Sequence, residues 1–108
     1  MIKNTEIINI DGAIVPSYLL SNDEFETLVD EVLSNHTLRQ ESFDVILNNF
    51  NKYIVNFMSE DYPEHITIYK NIKNNTYYLL LYKGTPTFYS FTEIPNIMRK
   101  YIFVNSLN

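Results

Sequence analysis

Two groups of side chains offer chemistry here, a run of carboxylates and a crowd of tyrosines. The stretch "SNDEFETLVDEVLS" (residues 21–34) holds five acids, Asp23, Glu24, Glu26, Asp30 and Glu31, and no base. Such a row is either a solvated helix face or a surface that shows a partner the charge of a nucleic acid. The tyrosines Tyr69, Tyr77, Tyr78, Tyr82 and Tyr89 fall within a short span. Rings of this kind suit strands, a protein interface, or, with Lys70, Lys73 and Lys83 nearby, a platform for stacked bases.

Catalytic signatures are missing. Only Gly12 and Gly84 are present, so no phosphate-cradling loop or dinucleotide fingerprint can be built. There is no G-x-S-x-G and no H-E-x-x-H. With no cysteine, disulfides, thiol nucleophiles and thiolate metal sites are excluded. His36 and His65 are the only imidazoles. His65 with Asp61 and Glu64 is a conceivable metal cluster, but the spacing fits a surface turn better. The expectation is a protein that is not an enzyme and carries no cofactor or metal.

The net charge is −5, which argues against direct nucleic-acid binding. Residues 1–64 hold twelve acids and three bases, whereas residues 65–108 hold one acid and five bases. The chain is therefore electrically polarised, and the plain reading is that its halves attract and fold on each other. The N-terminus shows no secretory pattern and no apolar run is long enough to span a bilayer, so a cytoplasmic location is expected, away from membranes.

The elements that position these groups can be read from periodicity. Two apolar runs flank Asp11-Gly12, predicting a hairpin in which Pro16 sits on an edge strand or ends it. Phe25, Leu28, Val29, Val32 and Leu33 mark one face of a helix, with Ser21 and Glu24 at capping-box spacing. That gives Asp23, Glu24 and Glu26 a structural reason at the helix start, but not Asp30 or Glu31. "NHTLRQ" reads as a linker or short strand. A second helix is predicted over 42–58 from Phe43, Ile46, Leu47, Phe50, Ile54, Phe57 and Met58. Strands follow in "HITIYKNI", with Ile66, Ile68 and Ile72 on one face, then "TYYLLLYK", apolar on both faces, and "TFYSF". Thr92 would cap a last helix bearing Ile94, Ile97, Met98, Tyr101 and Ile102. The sum is one α+β domain over 1–108, with an antiparallel sheet of about four to five strands packed against two or three helices.

The acidic "FETLVDEVL", "YP" at 62–63, "YYLLLYK" and "IPNIMRKYIFV" loosely resemble, in order, the staphylococcal uracil-DNA glycosylase inhibitors from Phe25 to Val104, most of the chain. "RQES" at 39–42 resembles the Gln-Glu-Ser strand end of the related phage inhibitor. The two resemblances imply different registers, with the key acid near Asp23 or Glu24 in one and at Glu41 in the other. That family begins with a helix, whereas this chain reads as beginning with a hairpin.

The resemblance implies mimicry of DNA. A uracil-DNA glycosylase flips a base and inserts an apolar side chain into the gap. An inhibitor would set Asp23, Glu24, Glu26, Asp30, Glu31 and Glu41 in the enzyme's positive groove as phosphate mimics. A pocket between the helix at 23–34 and the tyrosine-rich sheet, near Tyr78 and Tyr82, would take the wedge. The expected partner is a protein with a positive DNA-binding groove. Size, acidity and missing catalytic residues equally suit an inhibitor of another host defence enzyme, of the anti-CRISPR type and carried by a phage or mobile element, or a toxin-immunity protein.

Overall fold

The computed structural model describes the backbone of residues 4–10 and 13–15, and residues 16–61 and 63–99 in full. β1 (Asn4–Ile10) and β2 (Ala13–Leu20) form the predicted hairpin, antiparallel, with Ile10 opposite Ala13. Its Asp11-Gly12 turn lies outside the described residues. β4 (Asn51–Ser59) runs parallel to β2, and their pairing starts at Ser17↔Asn56. Pro16 therefore lies just before this seam, with only β1 paired beside it, which suits a residue with no N–H to donate.

The acidic stretch forms α1 (Asn22–Leu33), with Ser21 as its N-cap. Phe25, Leu28, Val29 and Val32 are buried as expected. Leu33, expected on the same stripe, is 45% exposed at the last turn. β3 (Arg39–Glu41) follows, then a single 3₁₀ turn at Phe43–Leu47.

The predicted helix over 42–58 does not form. Its first half is the 3₁₀ turn and its second half is β4. Asparagines interrupt the stripe: Asn48 Oδ1 accepts the Phe50 N–H at 2.8 Å, and Asn51 Nδ2 reaches back to the Val45 carbonyl at 2.5 Å. Beyond them, Tyr53, Ile54 and Val55 favour extended backbone. Alternation then sends Val55 and Phe57 to the core and Asn56 to the opposite face.

β5 (His65–Asn71), β6 (Tyr77–Lys83) and β7 (Thr85–Phe91) continue from β4 as an antiparallel meander. Asn75 at φ 62° shapes the β5–β6 turn and Gly84 at φ 81° shapes the β6–β7 turn, a left-handed region that asparagine tolerates and that glycine, with no Cβ, adopts freely. Ile72, expected beside Ile66 and Ile68, sits in the first of these turns and is exposed. β3 pairs with β7 at the far edge. The result is a seven-stranded mixed sheet, order β1-β2-β4-β5-β6-β7-β3, in place of an antiparallel sheet of four or five strands. With α1 it makes an α+β fold.

α1 covers one face of this sheet. Phe25, Leu28, Val29 and Val32 meet Val55, Phe57, Ile66, Ile68, Leu79 and Leu81 in the core. Residues 96–99 turn helically on the same side, with Met98 enclosed and Ile94 and Ile97 packed against it. Thr92 does not cap that turn; its N–H donates to Thr37 Oγ1 at 3.2 Å. Tyr101 and Ile102 lie outside the described residues. The other face carries no α-helix among the described residues, and the 3₁₀ turn rests on it through Phe43 and Phe88, ring centroids 5.3 Å apart.

Candidate partner-binding surface

The five acids of α1 divide by what holds them. Glu24 closes the capping box: its Oε1 accepts from the Ser21 N–H at 3.0 Å and hydroxyl at 2.8 Å, while Ser21 Oγ accepts the Glu24 N–H. Glu26 is held by Lys83 Nζ at 2.7 and 2.9 Å. That hydrogen bond pushes the Lys83 ammonium above the usual lysine range; burial opposes it, and the charges of Glu26, Glu64 and Asp30 each add a lesser push upward. Asp23, Asp30 and Glu31 are exposed, and no cation pairs with their carboxylates among the described residues. Asp23 and Asp30 are two turns apart on one face, about 10 Å along the axis at roughly 1.5 Å per residue.

Folding adds acids from another segment. The Glu60 N–H donates to the Leu20 carbonyl at 3.1 Å, which ties the β4–β5 turn to the start of α1. Asp61 and Glu64 on that turn thus stand at the same end of the molecule as Asp23. Glu64 and Asp30 both act on Lys83, so the two segments share one electrostatic environment. No group of three or more metal-ligating side chains occurs among the described residues. His65 instead donates from Nδ1 to the Pro63 carbonyl at 2.8 Å.

Glu41, Tyr78 and Tyr82 belong to a separate surface. Cross-strand partners share a face, and the registers place all three opposite α1. Glu41 ends the edge strand β3, half-buried, and its Oε2 accepts the Ser90 hydroxyl at 2.6 Å. Tyr82 stacks on His65, centroids 5.7 Å apart. Beside Glu41 lies an open depression of about 550 Å³ lined by Arg39, Tyr78, Ser90 and others, largely polar.

Two expectations are corrected here. The predicted partner-binding residues do not form one surface. Among the described residues the expected wedge pocket between α1 and the sheet is also absent, because core side chains fill that space: Phe25, Ile66, Ile68 and Leu79 are each 0% exposed. The two registers now differ physically: in the first, Glu24 closes its own helix cap and Asp23 beside it is exposed, whereas in the second Glu41 ends an edge strand and is bonded to Ser90. Sequence reasoning missed the Lys83–Glu26 pair, which joins positions 57 residues apart with no local signal. It also missed the exposed apolar group of Phe43, Leu47, Phe50 and Ile72. The asparagines at 48, 49 and 51 were the available sign that the stripe over 42–58 would break.

No family model, no curated protein and no solved structure matches this chain.

Proposed function

We propose that this protein is an inhibitor that occupies the positive DNA-binding groove of a DNA-acting enzyme, with a uracil-DNA glycosylase as the first candidate. The observation that carries this reading is the set of uncommitted carboxylates at Asp23, Asp30 and Glu31. They sit on a capped, well-packed helix, so their spacing is fixed before a partner arrives, and Asp61 and Glu64 extend the charge onto a second element. Preset charge of one sign speeds encounter with a groove of the other sign and weakens as salt rises. Lys83 neutralises only one acid of this group. The resemblance of "RQES" to the phage inhibitor's strand end gains support from the position of Glu41 on the sheet edge, where a partner can reach it.

A second reading, an inhibitor of another host defence nuclease or effector complex, is favoured by the filled space between α1 and the sheet. A glycosylase inhibitor needs a receptor for the wedge side chain, and the largely polar depression beside Glu41 is a poor one. The deciding experiment is uracil excision by a bacterial glycosylase with a stoichiometric amount of this protein. Full inhibition near one-to-one supports the first reading. Unchanged excision, with inhibition of a DNA-cleaving effector, moves the assignment to the second.

A further inference from the structure

We propose that the lysine-bearing end of the sheet docks the acidic end of a second copy of this chain, head to tail. This goes beyond the inhibitor reading and does not depend on it. The two ends of β5 differ in charge. Glu64 precedes the strand, and Asp23 and Asp61 stand at that end. Lys70 lies near the other end, roughly 20 Å away at about 3.3 Å per residue. Lys52 sits directly across from Lys70 on β4, and Lys73 follows in the next turn.

Like charges directly opposite on neighbouring strands repel. No carboxylate forms an ion pair with Lys52, Lys70 or Lys73 among the described residues, and the acid that shares a depression with Lys70, Glu93, lies on the far side of Tyr77's strand. Lys73 instead lies over the Phe50 ring, 4.8 Å from its centroid, and Lys70 lies 5.7 Å from that of Tyr77. Phe50 and Ile72 are joined by a backbone hydrogen bond of 2.9 Å and are 43% and 59% exposed. The patch therefore has an apolar centre and an unneutralised basic rim, which suits a compact acidic surface. The far end of this same molecule is one. A nucleic acid fits less well, because its charge continues past the patch and meets a chain of net charge −5. Since the two ends are different surfaces, the contact is heterologous and leaves a free end for the next copy.

Sedimentation velocity on the purified chain tests this, at about 20 mM and about 500 mM salt, between which the screening length falls from roughly 20 Å to about 4 Å. The expected result is concentration-dependent growth at low salt and a single-chain mass at high salt. Lys52→Gln with Lys73→Gln removes one surface, and Asp23→Asn with Asp61→Asn removes the other. Each double variant should stay at single-chain mass. Their equimolar mixture should form a two-chain species that grows no further, because one intact surface of each kind remains; this also shows that both variants are folded. A wild-type chain that stays at single-chain mass at low salt overturns the proposal. So does association that survives in either double variant. A low-salt monomer that binds a single-stranded oligonucleotide through Lys52 and Lys73 overturns it in favour of nucleic acid. No other protein is present, so failure here is separate from failure of the inhibitor reading.

Discussion

Lys83 is the residue whose role depends most on the fold. It contacts Glu26 bidentately on a solvent-facing site, where such pairs contribute about 0.2–1 kcal/mol. Its folded value is raised above the ordinary 10.5, so its stabilisation is complete below that pH and is lost as pH climbs through the folded value. Lys83→Met should lower the urea midpoint slightly at pH 7 and lose its difference from wild type at strongly alkaline pH. Ser21→Ala tests a different kind of contact. It removes the hydroxyl from the capping box, and chemical denaturation should show a loss of about 1 kcal/mol. Glu24 was recognisable in the sequence as a cap partner because its spacing from Ser21 is local. Glu26 was not recognisable as a paired acid because its partner is on a distant strand.

At the scale of elements, what was legible followed local rules. α1 announced itself through a cap and an apolar stripe. The β1–β2 hairpin and the β5–β7 meander did so through turns and alternation. β4 was misread because Phe43, Ile46, Leu47, Phe50, Ile54 and Phe57 imitate helical spacing by coincidence. What places 51–59 in the sheet is tertiary: Val55 and Phe57 complete the core under α1, and Asn56 finds partners on both neighbouring strands. Asn56 Nδ2 donates to Ser17 Oγ at 3.2 Å, and its Oδ1 accepts from Thr67 Oγ1 at 2.9 Å. All three residues are buried, so Asn56→Ala strands two polar groups and should cost about 1–3 kcal/mol in unfolding free energy. Phe25→Ala, at the centre of the contact between α1 and the sheet, should cost about 3–5 kcal/mol by the same measurement.

For the whole molecule, the governing feature is the separation of charge along the strands. It differs from the separation along the chain, since Lys83 from the basic half stands among the acids. If the exposed acids of α1 meet a target groove, Asp30→Lys with Glu31→Lys should weaken inhibition by more than tenfold, above about 1.4 kcal/mol, in a titration of target activity. Retained potency would remove α1 from the contact. The same titration in rising salt should show progressively weaker inhibition by the wild-type protein.

The parallel seam between β2 and β4 also governs how the molecule assembles in time. The hairpin β1–β2 and the meander β4–β7 are each built from neighbours in sequence and can form early. The seam spans only Ser17–Leu20 against Asn56–Ser59, and closing it requires the chain through α1 and β3 to be in place. Contacts so distant in sequence close late, after their loop entropy is met. The N-terminal hairpin therefore docks late, as does β3, whose partners on β7 are more distant still, and the hairpin's amides should exchange with deuterium before those of β5 and β6.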